Sequence, residues 1–152
     1  MSKKIAIFPG TFDPITIGHL SIINRALSLV DEVVVAIGVN PNKKTFFPLE
    51  RRMQMIDELF ADNNRVKAVS YTNLTVDFAK EIGAKFILRG IRSVVDFEYE
   101  KNIADVNRQI SGIDTFILFT EPKHAHISSS IVRELLAHKK DVSMFVPSKI
   151  TI

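Results

Sequence analysis

The chain has 152 residues, 46% hydrophobic and 24% charged, enough to bury one core, so a single domain over 1–152 is expected. It contains no cysteine, which excludes disulfides, a thiolate nucleophile and cysteine-bound zinc and fits a reducing compartment. Formal charge is +3 with a sequence pI near 9.2, a balance suited to nucleic acid or to phosphorylated small molecules.

At the start, Lys3-Lys4 precede the apolar run Ile5 to Phe8, which Pro9 ends; this is too short for a signal-peptide core. No stretch approaches the length of a membrane-spanning helix, so a cytoplasmic chain without a membrane partner is expected. The first strand is predicted at Lys4–Phe8. Gly10-Thr11-Phe12-Asp13-Pro14-Ile15-Thr16-Ile17-Gly18-His19 follows it, with Gly10 for a tight turn and Asp13-Pro14 as a turn former. A helix at about Gly18–Leu29 then buries Leu20, Ile23 and Leu27, with Val30 just beyond.

Glu32–Val39 reads as a second strand, and its unbroken Val33-Val34-Val35-Ala36-Ile37 is expected of a parallel strand covered on both faces. Asn40-Pro41-Asn42-Lys43-Lys44 is a turn carrying two lysines, and a helix at Leu49–Phe60 buries Met53, Ile56 and Phe60. The third strand is Val66–Tyr71, followed by Asn73-Leu74-Thr75 and a helix at Val76–Ile82. The fourth is Phe86–Leu88, followed by Arg89-Gly90-Ile91-Arg92. In the long helix Val94–Ile110, residues Val95, Tyr99, Ile103, Val106 and Ile110 form a stripe expected to be buried, with Tyr99 as core. Phe97 lies off the stripe and is expected to face a neighbouring subunit. A fifth strand at Thr115–Phe119, the segment His124-Ala125-His126-Ile127-Ser128-Ser129-Ser130 and a helix from Ser129 to His138 complete the pattern.

Strands alternating with helices across short connections predict an α/β fold: a Rossmann-like, doubly wound, five-stranded parallel sheet with helices on both faces. Ligands of such sheets bind beyond the carboxyl ends of the strands, where the strand order reverses. The polar clusters fall there. Gly18 permits close backbone approach where a helix N-terminus offers free N–H groups to an anion, and His19 can donate to a phosphate from the same side. Lys43 brings an ammonium to the same edge. Arg89 and Arg92 flank a glycine and present forked donors for phosphate. One of the three serines, Ser128 to Ser130, suits a helix cap; three together suit a polyphosphate. His124 and His126 are two potential ligands, one short of a catalytic zinc site. The basic residues occur as dispersed pairs without interleaved aromatics, which argues against a nucleic-acid partner.

Thr16-Ile17-Gly18-His19 after Gly10-Thr11-Phe12-Asp13-Pro14 resembles the H-x-G-H signature of the nucleotidyltransferase superfamily. Thr16 stands where the first histidine would be, as in bacterial phosphopantetheine adenylyltransferases of coenzyme A biosynthesis. The likeness continues through P-x-K-K at Pro41 to Lys44, R-G-x-R at Arg89 to Arg92, D-F-x-Y-E at Asp96 to Glu100, and I-S-S-S at Ile127 to Ser130. It implies transfer of the adenylyl group of ATP to 4′-phosphopantetheine, giving dephospho-coenzyme A and pyrophosphate, with magnesium as cofactor held through ATP phosphates and water. His19, Lys43 and Arg92 would be catalytic. Thr11, Phe12, His19, Gly90, Ile91, Arg92, Glu100 and the segment His124 to Ser130 would bind ATP; Thr11, Lys43, Thr75 and Arg89 would bind the acceptor. A hexamer is also implied. Two other readings compete: a nucleotidyltransferase acting on nicotinate mononucleotide or glycerol phosphate, and a nucleotide- or RNA-binding module without catalysis.

Overall fold

The computed structural model describes residues 2–152. Strands β1 (Ile5–Gly10), β2 (Glu32–Gly38), β3 (Val66–Tyr71), β4 (Phe86–Ile91) and β5 (Asp114–Phe119) form one sheet in the order β3-β2-β1-β4-β5. All four pairings are parallel. Between and after the strands lie α1 (Ile17–Ala26), α2 (Leu49–Leu59), α3 (Thr75–Glu81), α4 (Val94–Ser111) and α5 (Ser129–Ala137), with a 3₁₀ turn at Pro122–His124.

Side chains of the central strands alternate between two apolar layers, as the period-two geometry of a strand requires. Ala6, Phe8, Val33, Val35 and Ile37 join residues of α1, α2 and α5, while Ile7, Ala36 and Ile87 join Val76 and Ala79 of α3. Both faces of the sheet are therefore covered. The last segment adds Val142, Val146 and Ile150 to the larger layer, and Phe145 is tied to α1 by Ile17 N donating to its carbonyl at 3.1 Å.

Four expectations change. Strand β1 runs to Gly10, two residues beyond the expected Phe8, because β2 stays in register with it as far as Ile37. Helix α1 ends at Ala26 rather than Leu29. Carbonyls at its end and in the connection to β2 find donors elsewhere: Ser28 Oγ donates to Arg25 O, and the Arg65 guanidinium donates to the carbonyls of Leu27, Val30 and Asp31. Strand β4 runs to Ile91, three residues beyond the expected Leu88, because β5 stays in register with it as far as Ile91 opposite Phe119. Arg89 and Gly90 thus sit inside a strand, and Gly90 is closely packed there: a Cβ would meet Ile22 Cγ1 of α1 at 3.1 Å.

The largest correction concerns α4. Its apolar stripe is exposed, with Val95 at 75%, Tyr99 at 65% and Val106 at 56%, so Tyr99 is not core. The helix packs at the β4–β5 side of the sheet, and the residue it buries is Glu100. Glu100 lies about 100° around the helix from Tyr99, so the face of α4 that is buried is not its apolar stripe.

Candidate active site

The site follows from a divergence of two neighbouring strands. Strand β1 stays in register with β2 from Ile5 to Gly10 but with β4 only at Ala6 and Ile7. The strand order reverses between β1 and β4, so their carboxyl ends part at the switch point of the sheet. A cavity of about 510 Å³ opens there. Arg89 spans the gap by donating from Nη1 to Pro9 O at 2.5 Å.

His19 stands on the first turn of α1 and lines this cavity. Thr16 is the N-cap; its Oγ1 accepts from His19 N at 3.4 Å, while His19 Nδ1 accepts from Thr16 N at 2.9 Å. This is a capping box with a histidine in the position usually held by Glu or Gln. Because Nδ1 accepts a backbone N–H, the ring proton resides on Nε2. Burial, followed by the charges of Arg89 and Arg92, lowers the His19 pKa from 6.5 to about 4, so the ring is neutral at pH 7. His19 is therefore a neutral donor of one fixed tautomer. Phe12 supports it from below, with ring centroids 4.9 Å apart and planes at 64°. Phe12 itself holds a φ of 49°, and its ring occupies the space over Gly10, where a Cβ would meet Phe12 Cε2 at 3.0 Å.

Lys43 reaches across from the loop after β2, its Nζ 3.1 Å from Thr11 Oγ1. Arg92 lies beyond the end of β4, with its Nε 3.4 Å from Asp96 Oδ2 and Nη1 donating to Ile127 O at 3.4 Å. Arg89 is forked onto Glu100 of α4: Nε donates to Oε2 at 2.8 Å and Nη2 to Oε1 at 2.5 Å. Three of its five N–H groups are then used, by Glu100 and Pro9, and two remain for a ligand.

The three serines separate into distinct contacts. Ser128 caps α5 by accepting from Ile131 N, Ser129 donates to Pro14 O at 2.7 Å, and Ser130 Oγ accepts from Arg133 Nη2 at 3.1 Å. All three line the cavity, as do Ile127, Gly90 and Glu100. The remaining residues of the sequence-predicted ATP set, Ile91, His124, Ala125 and His126, do not line this cavity. Ile91 is buried in β4, and His124, Ala125 and His126 form the approach to α5; His124 Nδ1 is buried without a protein partner, and His126 packs edge-on against Phe145.

A second cavity, of about 390 Å³, adjoins the first at Thr11, Arg89, Tyr99 and Glu100. Thr75 lines it, its Oγ1 2.8 Å from Tyr71 Oη, together with Leu74, Asn107 and Thr115. Thr75 is thus separate from His19's cavity but continuous with it through Arg89.

Sequence reasoning missed Asp13, Arg52 and Arg133 as parts of this site. Asp13 read as a turn former and Arg52 as half of a basic pair, and neither signal indicates burial. Both are buried, and Arg133 lines the cavity while donating to Asp13 O at 2.9 Å. Only their long-range hydrogen bonds reveal them.

The first cavity is lined by five cations (Lys43, Lys44, Arg89, Arg92, Arg133) and three carboxylates (Asp13, Asp96, Glu100). Each carboxylate is engaged: Asp13 with backbone amides, Asp96 with Arg92, Glu100 with Arg89. Such a cavity favours a polyanion. Among the described residues, no three His, Asp or Glu side chains converge as a metal site. None of the helices in the described residues is long and apolar enough to cross a membrane.

The sequence profile of the family described as cytidylyltransferase-like matches residues 7–135. The chain is 60% identical to the phosphopantetheine adenylyltransferase of Phocaeicola vulgatus over 147 residues, 97% of each chain. To those of Bacteroides thetaiotaomicron and Flavobacterium johnsoniae it is 56% and 50% identical, again over 147 residues and 97% of each chain.

Proposed function

The chain belongs to the cytidylyltransferase-like family, in its phosphopantetheine adenylyltransferase branch, and on that premise we propose that it transfers the adenylyl group of ATP to 4′-phosphopantetheine. The products are dephospho-coenzyme A and pyrophosphate. The observation that carries the reading is that His19, Lys43 and Arg89 line one cavity, and that Arg89 and Thr11 also border a second. The first cavity is cationic, and the second is smaller and largely neutral.

In this reading the triphosphate lies in the first cavity and the acceptor arm in the second, with the acceptor phosphate at Arg89 and Lys43. A phosphate oxygen of the acceptor attacks the α-phosphorus of ATP in line. The bond from that phosphorus to the α,β-bridging oxygen breaks, and its electron pair leaves with pyrophosphate. No protein nucleophile is needed, so the protein contributes position and charge stabilisation. His19 Nε2–H donates to an α-phosphate oxygen as charge grows there. Lys43, held by Thr11, bridges acceptor and α-phosphate. Arg92, with the N-terminus of α5 at Ser128 to Ser130, receives the pyrophosphate. Gly90, Ile91 and the approach from His124 to Ile127 border the nucleoside. Thr75 and Asn107, with Thr115 Oγ1 lacking any protein partner, offer polar contacts to the acceptor arm. Magnesium would enter with the nucleotide substrate and would be held through it rather than by the cavity's carboxylates, which are already engaged.

The test is pyrophosphate release from MgATP with 4′-phosphopantetheine, nicotinate mononucleotide and glycerol phosphate offered separately. Release only with 4′-phosphopantetheine is expected. Release with either other acceptor alone defeats the assignment, and salt-dependent RNA binding without any release favours a binding module.

The exposed face of α4 supports a further part of this reading, a homo-oligomer in which a second copy covers Val95, Tyr99, Val106 and Ile110; a hexamer is the size that the family resemblance implies. A contiguous apolar stripe of this kind is uncommon on a free surface. The expected solution mass is a multiple of 17.1 kDa that falls to a smaller species in Val106→Glu. A wild-type monomer at micromolar concentration removes this proposal. The absence of cysteine supports a cytoplasmic setting.

A further inference from the structure

Two buried ionisable side chains have no part in the transfer step. Asp13 is 3% exposed and Arg52 is 5% exposed, and burying charged groups is costly unless their hydrogen bonds are made. What they bond to is informative. Asp13 Oδ2 accepts from Phe46 N and Oδ1 from Phe47 N, both at 2.8 Å. Arg52 Nε donates to Phe47 O at 3.1 Å, and its Nη1 donates to Thr11 O at 2.9 Å. The two side chains therefore join the loop after β1 to the far end of the loop after β2, from opposite directions. The near end of that second loop is closed on itself, with Asn42 N donating to Asn40 Oδ1 and Lys43 N to Asn40 O, both at 3.0 Å.

Between these fastenings sits Lys43, whose ammonium meets Thr11 Oγ1. Arg52 holds the carbonyl of the very residue whose hydroxyl Lys43 contacts. We propose that Asp13 and Arg52 are positioning residues that form a clasp across the two loops and set the place of the Lys43 ammonium beside Thr11. The inference rests on the reading of Lys43 given above and adds a device to it. A long lysine side chain on a loop has wide freedom, and preorganised charge stabilisation fails when the charge wanders. The clasp removes that freedom at the backbone, leaving the side chain one short reach to Thr11.

The fork of Arg52 matters as well as its charge. Two donors on one rigid plane span Phe47 O and Thr11 O together, which a lysine ammonium on a flexible stem does not reproduce. Asp13 likewise needs both carboxylate oxygens, because an asparagine offers one acceptor oxygen and turns an amino group towards the other N–H.

The experiment is a double-mutant cycle on the full chain, with kcat and KM measured for Arg52→Lys, Lys43→Ala and the pair. A displaced catalytic group costs up to about a hundredfold, so Arg52→Lys should lose about ten- to a hundredfold in kcat with KM for ATP within about twofold. In the Lys43→Ala background the same substitution should cost less than about twofold, because there is no ammonium left to place. A loss that multiplies fully in that background, or an Arg52→Lys enzyme with unchanged kcat, overturns the clasp. Lys43→Ala with wild-type kcat overturns the reading of Lys43 and the clasp with it, whereas impaired Lys43→Ala beside intact Arg52→Lys removes the clasp alone. Asp13→Asn, run through the same cycle, carries the same expectations if Arg52→Lys does not fold.

Discussion

Replacing His19 with alanine is expected to lower kcat by about 10²–10³-fold while weakening ATP binding by no more than roughly threefold, the scale for losing one preorganised donor. The location of the ring proton sets this effect. Thr16 N occupies Nδ1, so the only ring N–H, at Nε2, serves the cavity, where it lies ready before the substrate arrives. Neutrality has a further consequence. With a pKa near 4 in the free protein, His19 keeps the same charge across the range in which an ordinary histidine titrates. The ratio of kcat/KM between wild type and His19→Ala should therefore stay constant from pH 8 to about 5, a comparison that cancels the ionisation of the substrates. A ratio that collapses near pH 6.5 would show that the ring titrates normally and defeat the neutral-donor assignment. Unchanged kcat in His19→Ala would defeat the role altogether.

Arg89→Ala should act on stability and on acceptor binding together. Removing the guanidinium leaves the Glu100 carboxylate, only 8% exposed, without its cation. Breaking a fully buried pair costs about 3–5 kcal/mol; because Arg89 is 31% exposed, we expect ~2–3 kcal/mol here. For a chain of this size that lowers Tm by about 5–10 °C. The KM for the acceptor should rise by about tenfold or more, the effect of losing a charge-assisted hydrogen bond to phosphate. The double variant Arg89→Ala/Glu100→Gln separates the two effects. It should recover most of the lost Tm, because no buried charge remains, and none of the acceptor affinity. If acceptor KM recovers along with Tm, Arg89 is structural and does not hold the acceptor.

The parallel sheet was legible in the sequence because burial on both faces leaves a local mark, the unbroken apolar run at Val33 to Ile37, and helices leave theirs in spacings of three and four such as Met53, Ile56 and Phe60. Element limits were less legible. Strand β4 continues through Arg89 and Gly90 because β5 pairs with it that far, and pairing partners distant in sequence leave no signal in the strand itself. The stripe of α4 shows the same limit from the other side. Periodicity says that one face of a helix is apolar, but not whether this chain covers it. The residue of α4 that is buried, Glu100, lies off the stripe, and nothing in the spacing announces it.

The sequence by itself determined the chemistry on offer: a histidine at a helix start, lysines and arginines at the carboxyl ends of strands, serines before the last helix and no thiol. Those are local matters, since residue type and position relative to a strand end are written along the chain. Only the tertiary structure decided how these groups act. It placed the His19 proton on Nε2 through Thr16, spent three of Arg89's donors on Glu100 and Pro9, and divided the serines among a cap, Pro14 and Arg133. It also turned Asp13 from a turn residue into a fastening for the loop of Lys43. The physical reason is common to all four. A donor's direction and a buried charge's partner are set by what lies across the fold, and a linear sequence does not show what lies across.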